Sequence, residues 1–199
     1  MTKTEKTKYA RISFEEMQSL SKAIALAFSR KYGTPEAIIY VERGGMVFGR
    51  LLSDYLGVSR LYGIRARHYP KTNAMASTVH LEGMETLPES WPNDKHILVV
   101  DDIADTGKTL NAILSELRKS IPNIATATML RKPRSIILPD FFGKTLDNDV
   151  WAIFDYEEME TGADFKKSGN RGGQDFMRKK YGIGRNARSK ANSTAGFGK

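Results

Sequence analysis

The chain has 199 residues, 31 Lys and Arg against 23 Asp and Glu, and no cysteine. That length is enough for one well-filled core with an appendage, and the lack of cysteine excludes a disulfide scaffold, a thiolate zinc site and a cysteine nucleophile. The polar first residues lead into no apolar segment, and aliphatic runs stay as short as Ile97-Leu-Val-Val100, which predicts a soluble, cytoplasmic protein with no membrane partner.

In chain order, residues 1–11 read as a polar N-terminal extension. Ser13-Phe-Glu-Glu16 has the spacing of a capping box. Behind it Phe14, Met17, Leu20, Ile24, Ala27 and Phe28 recur at helical spacing until Gly33 and Pro35 stop the helix. Ala37–Val41 is a short buried strand that runs into Glu42-Arg-Gly-Gly45, and a helix through Val47, Leu51, Leu52, Tyr55 and Leu56 ends at Gly57. Arg60–His68 is the next strand. Residues 69–94 are polar, broken by Pro70, Pro88 and Pro92, and read as a long excursion with an edge hairpin around Ser77–Gly83. Trp91, between Ser90 and Pro92, reads as a loop anchor. His96–Val100 is a strand and Lys108–Ser120 a helix with Leu110, Ile113, Leu114 and Leu117 on its apolar side; Ile124–Leu130 and Val150–Phe154 complete the strands. This alternation predicts an α/β fold: a doubly wound, mostly parallel sheet with helices on both faces and ligands beyond the carboxyl ends of its strands. Loops 42–45 and 101–107 both follow strands at that edge.

The net charge of +8 is concentrated at one end. Residues 166–199 hold ten Lys and Arg, one acid (Asp175) and seven of the 17 glycines, while residues 1–165 are nearly neutral. Such a composition predicts a basic, mostly disordered tail, with Phe165, Phe176 and Tyr181 available to dock its first half. The three histidines, His68, His80 and His96, have no metal-ligand spacing.

The most informative stretch is Val99-Val-Asp-Asp-Ile-Ala-Asp-Thr-Gly-Lys-Thr109. Gly107-Lys108-Thr109 invites a P-loop reading, which fails because Asp102 stands where the first glycine belongs. Three carboxylates also crowd the turn, the wrong charge for cradling a triphosphate. The same residues suit a phosphorylated sugar. Adjacent carboxylates at a strand end can accept from vicinal hydroxyls, and Thr106, Gly107, Lys108 and Thr109 open a helix whose free amides suit one phosphate monoester. An acidic helix N-terminus whose aspartates merely cap is the plainer alternative.

Asp101–Thr109 resembles the phosphoribosyl-pyrophosphate (PRPP) binding motif of type I phosphoribosyltransferases. Val41-Glu-Arg-Gly-Gly-Met-Val-Phe-Gly49 is similar to the pyrophosphate loop of their 6-oxopurine members, above all the xanthine-guanine and hypoxanthine-guanine types. Met129-Leu-Arg-Lys-Pro133, followed by Trp151-Ala-Ile-Phe154, resembles their base-binding segments. The similarity covers residues 12–160. It implies a domain over 12–165 with a small C-terminal hood and a lid loop, and an enzyme that moves 5-phosphoribosyl from PRPP to guanine, xanthine or hypoxanthine.

By that resemblance Asp101 and Asp102 hold the ribose hydroxyls, directly or through Mg²⁺, and Asp105 stands near the purine N7 as general base. Thr106, Gly107, Lys108 and Thr109 bind the 5-phosphate, with Ile103 and Ala104 within the same PRPP motif. Arg43 and Gly44 bind pyrophosphate, beside a non-proline cis peptide in relatives, and Arg43 also assists catalysis. Lys132 reads O6, Trp151 stacks on the base, the Ala152 backbone meets the C2 edge, and Glu157, ahead of Asp155, is the acid at the base or metal. A solvated basic turn is the alternative for Lys132 and a core position the alternative for Trp151. The excursion 69–94 serves as a lid, with Tyr69 and Lys71 reaching in, unless it is ordinary surface. Homodimers or larger homo-oligomers are usual in the family. The chain departs from the family pattern at Glu42, Phe48 and Asp155-Tyr-Glu157, which leaves the base preference open. A regulator on the same fold, sensing PRPP or a nucleotide and binding nucleic acid through the basic tail, is the competing class.

Overall fold

The structure, a computed structural model, describes residues 7–69 and 78–182. In chain order these form β1 (Lys8–Ile12), α1 (Phe14–Tyr32), β2 (Ala37–Glu42), α2 (Gly45–Leu56), β3 (Leu61–Tyr69), β4 (Thr78–Glu82) and β5 (Ile97–Ala104). There follow α3 (Lys108–Leu117), β6 (Ile124–Arg131), β7 (Phe141–Thr145), β8 (Val150–Phe154), α4 (Glu158–Lys167) and α5 (Arg171–Tyr181), with single 3-10 turns at Met84–Thr86 and Asp155–Glu157. They divide into two compact units, Glu15–Asn148 and a smaller one built from the segment up to Phe14 and the segment from Asp149.

The larger unit is a six-stranded sheet of order β4-β3-β2-β5-β6-β7. All neighbours pair parallel except β4, which pairs antiparallel with β3 as the expected edge hairpin. The central strands read as near-continuous apolar runs because both faces are covered. On one face Ile39, Val41, Ile97 and Val99 pack with Leu110, Ile113, Leu114 and Leu117 of α3. Tyr40 points the other way, by the two-residue alternation of a strand, and α2 lies there. Gly49 permits this approach, since a Cβ on it would stand 3.0 Å from that of Tyr40. The helices on both faces make the sheet doubly wound.

Local chemistry fixes the ends of the elements. Glu15 and Glu16 in the first turn of α1 and Arg30 and Lys31 in its last complement the helix dipole. The stripe it buries is Met17, Ser21, Ile24, Ala25 and Phe28, while Phe14 and Ala27, expected on the apolar face, are exposed. Gly57 ends α2 in the left-handed conformation (φ 66°). Trp91 is buried edge-on against Tyr62, ring centroids 5.9 Å apart, and anchors the polar excursion as its sequence context suggested.

Three expectations need correction. First, β5 runs on through Ala104, so Asp101–Ala104 are strand residues paired with β6 rather than part of a loop. Second, β7 is an additional edge strand; its short, half-polar Phe-Phe-Gly-Lys-Thr carries no periodic signal. Third, neither end of the chain is a mere appendage. Part of the supposed N-terminal extension forms β1, which pairs parallel with β8 from Lys8↔Val150 to Ile12↔Phe154. The first half of the supposed disordered tail completes α4 and forms α5.

That smaller unit has its own core of Ile153, Phe165 and Met177, with Tyr9, Phe176 and Tyr181 packed against it. The Asn170 Oδ1 caps α5 by accepting from the Gly173 amide at 3.0 Å, and it also accepts from the Tyr9 hydroxyl at 2.8 Å. A few aromatic residues therefore order a segment whose average composition looks unfoldable. The rest of the basic tail, residues 183–199, lies outside the described residues. Among the described residues no helix is long and apolar enough to cross a membrane.

Candidate active site

The larger unit gathers three of the sequence segments at the carboxyl end of β5. Asp101 and Asp102 are consecutive residues of that strand, and each is held by the backbone that follows it. The Asp102 amide donates to Asp101 Oδ1 at 2.9 Å and the Ile103 amide to Asp102 Oδ1 at 2.7 Å. Burial, and then the charge of Asp102, push the Asp101 carboxyl well above the ordinary carboxylate range.

The loop after β2 lies directly on these residues, and its glycines make that approach possible. A Cβ on Gly44 would overlap the Asp102 carboxylate; one on Gly45 would stand 2.7 Å from the Val100 carbonyl oxygen and 3.1 Å from the Asp101 Cα. The Glu42–Arg43 peptide is cis, as in the family the loop resembles. The Met46 amide closes the turn on the Arg43 carbonyl at 3.2 Å. Glu42, the departure from the family pattern, lies over β3, where its Oε1 would be 2.5 Å from a Cβ on Gly63.

The turn 105–109 is braced from the other side. The Ile136 amide donates to the Thr106 carbonyl at 3.0 Å. Gly107 takes φ +74°, and a Cβ there would meet Ser135 Oγ at 2.5 Å and the Ile137 nitrogen at 3.0 Å. The first-turn amides of α3, which begins at Lys108, have no acceptor within the helix and suit an anion.

Asp105 is the centre of charge. Lys132, only 5 % exposed, donates its Nζ to Asp105 Oδ2 at 3.1 Å. The Arg134 guanidinium pairs with Asp105 Oδ1. The lysine is placed by its own backbone, whose amide extends the β5–β6 ladder onto the Ala104 carbonyl at 2.9 Å. The solvated basic turn considered for Lys132 is thus excluded. Arg134 is the site residue that sequence reasoning missed; its signal is a second cation two positions beyond Lys132, across Pro133.

In the smaller unit Trp151 is half exposed, so the core alternative fails, and its ring meets Phe165 edge-on at 5.6 Å. It borders an open pocket of about 550 Å³ shared with Asp164, Phe165, Lys167, Ser168 and Asn170. Ala152 is half-buried beside it. The two acids weighed for the base or metal have structural partners. Glu157 accepts from the Phe154 amide at 3.1 Å, so its carboxylate caps the 155–157 turn. Asp155 accepts from Arg11 Nε at 2.6 Å and Nη2 at 2.8 Å, which holds it below the usual carboxylate range.

Of the lid candidates, Tyr69 closes β3, where its backbone pairs with Thr78; Lys71 lies outside the described residues. Among the described residues no group of three or more His, Asp and Glu is placed to hold a metal ion by itself.

Residues 13–161 match the family described as the phosphoribosyl transferase domain. A xanthine-guanine phosphoribosyltransferase of Nitratidesulfovibrio vulgaris Hildenborough is 27 % identical over 146 residues, covering 73 % of this chain and 83 % of its own. The solved Helicobacter pylori xanthine-guanine-hypoxanthine phosphoribosyltransferase is 28 % identical, with a TM-score of 0.65 over 81 % of this chain and 99 % of its own. A purine phosphoribosyltransferase from Pyrococcus horikoshii is 26 % identical, with a TM-score of 0.63 over 75 % of this chain and 93 % of its own.

Proposed function

The chain belongs to the phosphoribosyl transferase family, and on that premise we propose that it transfers 5-phosphoribosyl from PRPP to a 6-oxopurine, releasing pyrophosphate and a nucleoside 5′-monophosphate. The observation that carries this reading is the Asp105–Lys132 pair at the mouth of the β5 carboxylates. A buried lysine is a charge-assisted donor for a purine O6, and the adjacent carboxylate accepts the proton of the imidazole edge. The relatives named above support the purine class.

In this mechanism the bond between C1 of the ribose and pyrophosphate breaks as a purine nitrogen bonds to the same carbon, through a state with positive charge on the sugar. Asp101 and Asp102 stabilise that charge and orient the hydroxyls, while Arg43 neutralises the departing pyrophosphate. Asp105 takes the proton released from the purine. The turn 106–109 holds the 5-phosphate, and the exposed face of Trp151 offers the base a stacking surface.

Two strand-end carboxylates, with no third carboxylate or histidine gathered beside them among the described residues, suit magnesium, which takes one or two carboxylates and fills its remaining positions with water and substrate phosphates. Asp101 and Asp102 are the residues that would hold it. Bound there, magnesium supplies charge neutralisation for the pyrophosphate.

Pyrophosphate release from PRPP, measured in magnesium with guanine, xanthine, hypoxanthine, adenine, orotate and uracil, tests the reading. Turnover confined to 6-oxopurines is expected; turnover of orotate or uracil alone would sink it. Tight binding of PRPP without turnover of any base would instead favour a nucleotide-sensing regulator.

A further inference from the structure

Asp105 meets one cation on each of its carboxylate oxygens. Lys132 Nζ stands at Oδ2, and both Nε and Nη2 of Arg134 point at Oδ1. The two partners differ in freedom, since the Lys132 side chain is 6 % exposed and that of Arg134 45 %. They also differ in spare capacity. Lys132 has three donors, so holding Oδ2 leaves donors for a second acceptor. Arg134 covers Oδ1, its Nε–H hydrogen-bonded to that oxygen and its Nη2 standing beside it. Its approach is set by the backbone: the Arg134 amide donates to Asn148 Oδ1 at 3.1 Å, and the Ser135 amide closes the turn on the Lys132 carbonyl at 3.0 Å.

A ligand N–H that is to reach Oδ1 must take the place of the guanidinium. We propose that Arg134 is a displaceable latch on Asp105, occupying the oxygen that an incoming purine needs and thereby setting affinity for the base. The proposal rests on the reading of Asp105 and Lys132 as the base-binding end of a phosphoribosyltransferase. The exchange breaks the Arg134–Asp105 ion pair to make a hydrogen bond from a neutral N–H, so the latch acts against base binding. PRPP, which meets Asp101, Asp102 and the turn 106–109, does not compete for Oδ1. Arg134 is thus a positioning and specificity residue.

Steady-state kinetics of Arg134→Met, which keeps the aliphatic stem and removes the donors, is the test. KM for hypoxanthine and guanine should fall about threefold, as expected for loss of a half-exposed ion pair, with KM for PRPP unmoved and Arg134→Lys in between. An unchanged or raised KM for the base, or a parallel change for PRPP, overturns the latch. A second measurement does not need turnover. In ¹⁵N-arginine spectra of the full chain the Arg134 Nε–H should exchange slowly with water, and Asp105→Asn or added hypoxanthine should speed that exchange. Absence of turnover with every base overturns the transferase reading alone; an Nε–H indifferent to Asp105→Asn and to hypoxanthine overturns the latch alone.

Discussion

Carboxylates in the two units of this protein meet different fates. In the larger unit Asp101, Asp102 and Asp105 stand at a strand end where glycines bring backbone against them and where their main partners are the following amides and two cations. In the smaller unit Asp155 and Glu157 are also carboxylates close in sequence, yet one is clamped by Arg11 and the other caps a turn. The difference lies in what each unit needs for folding. The larger unit has a deep apolar sheet and can leave its polar edge to a ligand. The smaller one has a core cluster of Ile153, Phe165 and Met177, with Ile12, Phe154 and Thr161 also buried, and its polar side chains help to hold it together. A short core leaves few polar groups for function.

The sharpest way to break this comparison is Asp105→Asn. If the larger unit's carboxylates are functional, kcat should drop by about 100-fold or more, the usual scale for a general base, while PRPP binding changes little; an unaffected kcat would make Asp105 a helix-end residue no different from Glu157. Next in size, Lys132→Ala removes one charge-assisted hydrogen bond, about 1.5–3 kcal/mol, and should raise KM for a 6-oxopurine roughly 10- to 100-fold with KM for PRPP nearly constant. Equal losses for both substrates would make the lysine a structural partner of Asp105 only.

Trp151→Ala asks whether the smaller unit contributes anything beyond its own folding. A stacked base is worth about 1–3 kcal/mol, so KM for the base should rise roughly tenfold, and far-ultraviolet circular dichroism should stay unchanged because Phe165 keeps its core contacts. An unchanged KM would leave that unit without a demonstrated part in base binding.

The smallest effect concerns stability. Burial lifts the Asp101 carboxyl well above its unfolded value, so its contribution to folding is fully present below the unfolded pKa and is lost as pH rises through the folded one. Asp101→Asn in the ligand-free protein should therefore raise Tm at pH 8 and do so less at pH 4, each 1 kcal/mol reading as about 2–4 °C in a chain of this size. A stabilisation independent of pH would contradict the burial argument.

Strong periodicity and strong motifs were legible. The helices over Phe14–Tyr32, Gly45–Leu56 and Lys108–Leu117 and the central strands follow from apolar spacing, and the placing of Lys132 near Asp105 followed from the family resemblance. Elements stabilised by contacts far away in sequence were not legible. β1 is Lys-Tyr-Ala-Arg-Ile, indistinguishable from a polar extension until β8 stands beside it. α5 carries four Lys and Arg in all and folds because Met177, Phe176 and Tyr181 find Phe165 and Ile153. Arg134 was missed, and the cap made by Glu157 unforeseen, for a related reason: the partner of a charge is set by the turn it sits on. Removing residues from Ser168 onward would therefore take away α5.

The pairing of β1 with β8 also has a temporal side. β1 leaves the ribosome first, and its partner is made about 140 residues later. At roughly 5–20 residues per second, β1 waits on the order of 7–30 s for the strand that completes it. By the time β8 emerges, everything from Glu15 to Asn148 has emerged ahead of it and can fold as a unit. The smaller unit is assembled last from the two ends of the described chain, so a nascent chain stalled with Asn148 emerged and β8 still inside the ribosome should carry the folded six-stranded sheet with a strand at its N-terminal end still unpaired.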